Sequence, residues 1–167
     1  MRIRFRAAHA AAAVGTAAAA TLGLVAAAVP ASATSDSSSW NLPGGDKWQV
    51  NAWHCGTYSS ACSWSSSTKL QGGNPRTAQW IENRVELEAH GISASLTISK
   101  SPSASLTMKK RSLGEVRWRN SNSWIADNSG VMKPSWNTTF VSTRSCGSGR
   151  VNASINVSEK CAYAGAF

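Results

Sequence analysis

Beyond residue 33, the groups able to move protons or hold a cation are His54 and His90, Asp36, Asp46 and Asp127, and the glutamates at 82, 86, 88, 115 and 159. General acid–base work needs such a group placed beside a nucleophile or a substrate proton, and no spacing in the chain announces that arrangement. There is no Gly-x-Ser-x-Gly elbow and no His-Glu-x-x-His pair, and Gly147-Ser148-Gly149 lacks the flanking context that would make Ser148 a nucleophile. The expectation is therefore a non-catalytic protein, with a small hydrolase assembled from distant residues as a lesser alternative.

Glu86, Glu88 and His90 recur at every second position, so one face of a strand would present two of them to a metal. A metal site needs three or four converging ligands. Glutamate alternating with Arg84, with Arg117 and Arg119 on a later segment, fits a solvated face with cross-strand ion pairs better. No metal and no cofactor is expected. Cys55, Cys62, Cys146 and Cys161 lack the short knuckle spacing of zinc sites, and an even count points to two disulfides. The expected pairing is between sequence neighbours, Cys55–Cys62 and Cys146–Cys161, worth roughly 2.5 and 3 kcal/mol in the chain-entropy model.

Contact chemistry is better supplied. Eight tryptophans stand at 40, 48, 53, 64, 80, 118, 124 and 136, against two tyrosines and three phenylalanines. Trp48 and Trp118 have apolar residues in phase with them and are assigned to the core. Trp64 lies in a serine-rich stretch, and Trp124 and Trp136 are flanked by Ser, Asn and Pro, so these three are expected in loops, as end caps or exposed anchors. Lys109-Lys110-Arg111 is the densest positive run and could steer a partner toward those anchors. Trp64, Trp124, Trp136, Lys109, Lys110 and Arg111 are thus the candidate binding residues.

These side chains must be positioned by strands. No segment sustains an apolar spacing of three and four, whereas alternation by two recurs. Trp48, Val50 and Ala52 share one phase. A serine-rich loop from 57 to 68, pinned by the first disulfide, follows, and Gln71-Gly-Gly-Asn-Pro75 is a break. Residues 80–90 read as the clearest strand, with Ile81, Val85, Leu87 and Ala89 on the inner face. The near-repeat of 93–100 and 103–110 (Ser-Ala-Ser-Leu-Thr) reads as a hairpin with inward Leu and outward Ser and Thr. Further strands are expected at 115–120, near 137–143 and at 150–157, the last tied at both ends by Cys146–Cys161. Seven or eight short strands with regular turns make an all-β, small antiparallel β-sandwich or partly open barrel.

The first 33 residues read differently. Arg2, Arg4 and Arg6, an alanine-dominated run from Ala7 to Val29 and Pro30-Ala31-Ser32-Ala33 form a charged, an apolar and a cleavage region. The arginines are not adjacent, which favours a Sec-type over a twin-arginine signal, cleaved after Ala33. Removing these 33 of 167 residues, three of them arginine, leaves 134 and lowers the formal charge from +9 to +6. Residues 34–39 would then be a flexible polar leader, and 40–167 one domain. The expected protein is an exported bacterial binding domain recognising another exported protein, including as an accessory subunit of a secreted toxin or adhesin complex, or an extracellular glycan. A membrane-active toxin or bacteriocin is the main alternative, followed by a hydrolase or a protease inhibitor. Nucleic acid is not an expected partner. An anionic membrane or wall polymer is a more available one for the positive charge.

Overall fold

A computed structural model describes residues 34–56, 61–72, 76–90, 94–98, 104–110, 113–136, 138 and 141–165. Ten strands run through them: β1 (Ser35–Asn41), β2 (Lys47–His54), β3 (Cys62–Gln71), β4 (Ala78–Ala89), β5 (Ala94–Ile98), β6 (Ser105–Lys110), β7 (Leu113–Ser123), β8 (Ile125–Pro134), β9 (Val141–Arg150) and β10 (Asn156–Ala164). They form two five-stranded antiparallel sheets, in the order β1-β2-β3-β8-β5 (sheet A) and β10-β9-β4-β7-β6 (sheet B). β2 lies over β9, β3 over β4 and β8 over β7, so the all-β sandwich expected from alternation is the observed fold.

The core follows from the phase of each strand. Trp48, Val50 and Ala52 of β2 are buried, as are Ile81, Val85, Leu87 and Ala89 of β4. Trp48 packs where Gly149 leaves room, since a Cβ there would overlap the indole, and Trp64 packs beside Gly130 on the paired strand. Truncating either indole should cost about 3–5 kcal/mol.

Between two apolar clusters runs a polar layer. Along β3 it is Ser66 and Thr68, along β4 Asn83, along β8 Asn128 and along β9 Ser145, all buried. Ser66 Oγ donates to Asn83 Oδ1 at 2.8 Å and sits 2.6 Å from Ser145 Oγ. Asn83 Nδ2 donates to Thr68 Oγ1 and to Ser145 Oγ, each at 3.1 Å, and Asn128 Nδ2 donates to Asn83 Oδ1 at 2.9 Å. One amide from sheet B thus meets polar groups of both sheets and ties them in register.

Both expected disulfides are present, Cys55–Cys62 and Cys146–Cys161. The second does not span one strand: Cys146 on β9 lies directly opposite Cys161 on β10, because residues 151–155 are the turn between them. The polar segment 34–39 is not a free leader. It begins β1, which pairs with β2 from Ser35 opposite Trp53 to Asn41 opposite Lys47. The Asp36 carboxylate also accepts the Tyr163 backbone N–H at 2.7 Å, clasping the edge of sheet A to the edge of sheet B. The serine-rich stretch contains strand β3 from Cys62 onward, while residues 57–60 lie outside the described residues. The near-repeat is not a hairpin: β5 joins β8 in sheet A, and β6 joins β7 in sheet B. Identical local sequences are used at one side of each layer.

Candidate functional site

The six candidate binding residues do not come together. Trp64 is 1% exposed, in a strand and not a loop, because residue 64 falls in the inward phase of β3. Trp124 is about half exposed at the turn between β7 and β8, beside Leu70, Gln71 and Gly72. Trp136 follows β8 and is 95% exposed. A strand of ten residues separates these two, so they stand roughly 30 Å apart at opposite ends. β6 runs toward the Trp136 end, where Lys110 pairs with Leu113. The side chains of Lys109 and Lys110, and Arg111 as a whole, lie outside the described residues.

The charged residues of β4 and β7 face outward on sheet B and are paired there. Arg84 contacts Glu86 at 2.9 Å, Glu115 at 3.2 Å and Glu159 at 2.5 Å. Glu82 takes Arg119 at 3.0 Å and Arg117 at 3.5 Å, and Glu86 takes Arg144 at 3.3 Å. The Glu159 carboxylate, then that of Glu115, raises the Arg84 pKa further against the opposing pull of its partial burial. Arg117 and Arg119 do form cross-strand ion pairs, with Glu82 as the partner, whereas the expectation set them against the Glu86, Glu88 and His90 face.

His54 Nδ1 lies 3.2 Å from Thr143 Oγ1, and His90 Nε2 lies 2.8 Å from Ser142 Oγ. Both hydroxyl residues are 0% exposed, so in this conformation neither offers a nucleophile that a substrate can reach. Burial lowers the His54 pKa below its ordinary 6.5. Among the described residues, Cys146, Glu159 and Cys161 converge as metal-ligand types, but the two sulfurs are joined to each other.

What the fold does assemble is the outer face of sheet A. Since Trp48, Val50 and Ala52 point inward, Gln49, Asn51 and Trp53 must point outward, and Trp53 is 41% exposed. Register sets Asn51 beside Ser67 of β3 and Ser37 of β1, Trp53 beside Ser65 and Ser35, and Ser67 beside Asp127 of β8. Asn51, Trp53, Ser65, Ser67 and Asp127, with Lys69, Ile125 and Ser129, line a groove of about 340 Å³. A chain of side-chain hydrogen bonds on the same face leads into two of the lining residues, Asn51 and Ser67: Gln71 Nε2 donates to Gln49 Oε1 at 2.8 Å and Gln49 Nε2 to Ser37 Oγ at 3.1 Å. Ser37 Oγ then donates to Asn51 Oδ1 at 2.7 Å, and Asn51 Nδ2 to Ser67 Oγ at 2.9 Å. Every member hands a proton donor to the next, which fixes each amide's orientation before any ligand arrives.

The chain matches no family model, no curated protein and no solved structure. Geometry alone therefore bears on what the groove holds. Reasoning from sequence passed over Trp53, although the phase of β2 already placed it opposite the core residues. Its neighbours Ser65, Ser67, Asp127 and Ser129 could not be found that way, because β3 and β8 carry few apolar residues to mark them as strands.

Proposed function

We propose that this chain is an exported, non-catalytic binding domain whose ligand, an exported protein or an extracellular glycan, lies on the outer face of sheet A. The observation that carries the reading is the half-exposed Trp53 at a groove of fixed amide and hydroxyl groups, on a scaffold closed by two disulfides. An aromatic surface beside preoriented polar groups is the usual composition of a ligand site, and holding them on strands removes much of the ordering cost of binding. The disulfides are consistent with an extracellular setting. Export itself rests on the signal-like residues 1–33, which lie outside the described residues. Labelled full chain, incubated with cell walls and with the exported protein fraction, should bind one of them saturably. The double variant Trp53→Ala, Asp127→Ala should lose that binding while melting as the parent does.

One observation favours a second reading. Trp136, nearly fully exposed, sits on a turn closed by the Thr138 N–H bond to the Ser135 carbonyl at 3.0 Å, at the end of the sandwich toward which β6 runs. An exposed indole at the end toward which Lys109 and Lys110 run suits an anionic membrane surface. Binding to and leakage from anionic vesicles, both abolished in Trp136→Ala, would support it, and intact vesicles with no bound protein would remove it.

A further inference from the structure

We infer that the groove on sheet A is a site for a neutral polysaccharide, with one sugar ring stacked on Trp53 and the neighbouring hydroxyls held by Asn51, Ser67 and Asp127. This rests on the reading of that face as the ligand face, and names its ligand.

Charge is the first argument. The lining carries one cation, Lys69, and one anion, Asp127, so the groove has no formal net charge in a chain that is otherwise strongly basic. An anionic wall polymer or lipid headgroup would be met by several cations, as phosphate-tracking sites are. Polarity is the second. Of the outward-facing side chains that line the groove, Asn51, Ser65, Ser67 and Ser129 are amide or hydroxyl groups, and Trp53 and Ile125 are the large apolar ones. Protein interfaces concentrate aromatic and aliphatic anchors at a dry centre, and the lining of this groove has no such centre. A sugar presents an apolar C–H face and a rim of hydroxyls, which is the complement of one indole ringed by amides and serines.

The third argument is spacing. Neighbouring strands stand about 4.8 Å apart, close to the length of one pyranose residue, so a chain lying across β2, β3 and β8 meets Asn51, Ser67 and Asp127 in successive steps. Asn51 Nδ2 gives one hydrogen to Ser67 and carries a second, while Ser67 Oγ accepts that bond and keeps its own hydrogen to donate. The row thus supplies donors, and the Asp127 carboxylate supplies an acceptor for sugar hydroxyls.

The test is retention of the full chain on insoluble neutral glycans (cellulose, chitin and a β-1,3-glucan) and on teichoic-acid-bearing walls. The parent should bind at least one neutral glycan. Trp53→Ala and Asn51→Ala should each weaken that binding about tenfold or more, Trp53→Phe should recover part of it, and Trp124→Ala should leave it unchanged. Failure to bind any neutral glycan, or binding to one that survives Trp53→Ala, overturns the inference. If the parent instead captures an exported protein in a Trp53-dependent way, the ligand face stands and the glycan is wrong. If Trp53→Ala alters no binding of any kind, both fall. Unchanged melting of each variant separates loss of contact from loss of fold.

Discussion

At the scale of single residues, Asn83 shows how one polar side chain can organise an apolar core. Its amide meets Ser66, Thr68, Asn128 and Ser145, drawn from both sheets, in the layer that separates the two apolar clusters. Asn83→Ala removes the common partner and leaves buried hydroxyls and an amide unsatisfied, so the expected loss is about 2–4 kcal/mol, measured by urea unfolding. Asn83→Asp, which puts a charge in the same place, should cost more. His54 gives the molecule a pH dependence. Burial depresses its folded pKa below 6.5, so the unfolded chain takes up the proton first. The stability held by neutral His54 is complete above that value and is lost as pH falls from it through the depressed folded value. Melting temperatures from pH 8 to pH 4 should drop below about pH 6.5 in the parent, and less steeply in His54→Gln. Identical profiles for the two would remove His54 as the cause. Trp53 and Trp64 teach a related lesson: Trp64 stands among serines and is buried, Trp53 stands between Ala52 and His54 and is exposed, and strand phase decides both.

At the scale of elements, legibility tracked apolar content. β4 was plain because Ile81, Val85, Leu87 and Ala89 carry a strict alternation into a buried central strand. β3 resembles a loop in sequence because its inward positions include Ser66 and Thr68, whose burial depends on Asn83 across the layer, a partner no local pattern reveals. β8 escaped for the same reason through Asn128 and Gly130. The near-repeat misled because matched faces suit a hairpin and equally suit two strands in facing sheets, and only the pairing with β8 and β7 decides. β1 is a polar edge strand held by backbone pairing and by the Asp36 clasp on Tyr163. Asp36→Ala should loosen it by about 1–2 kcal/mol, read as faster amide exchange at Tyr163 and at His54, whose N–H donates to the Thr34 carbonyl, with amides of β4 unaffected. Equal acceleration across β4 would mean that β1 and the core open together.

At the scale of the molecule, two disulfides close an antiparallel sandwich whose core is interrupted by polar residues. Each bridge joins neighbours in space that are 7 and 15 residues apart in sequence. Reducing both should remove about 5.5 kcal/mol in the chain-entropy model, much of the margin of an ordinary domain, so the reduced protein should unfold at far lower denaturant. Sheet B pairs its charges internally, Arg84, Arg117, Arg119 and Arg144 with carboxylates, whereas sheet A turns out a groove of no net charge with one exposed indole. This division of the two faces is what supports the proposal that a ligand meets sheet A. The most direct measurement is a titration of isotope-labelled protein with a soluble neutral oligosaccharide, following the indole and side-chain amide resonances. The expected result is saturable movement of Trp53 Nε1–H and Asn51 Nδ2–H2, with the indoles of Trp124 and Trp136 still. Saturable movement centred on Trp136, with Trp53 still, would contradict it.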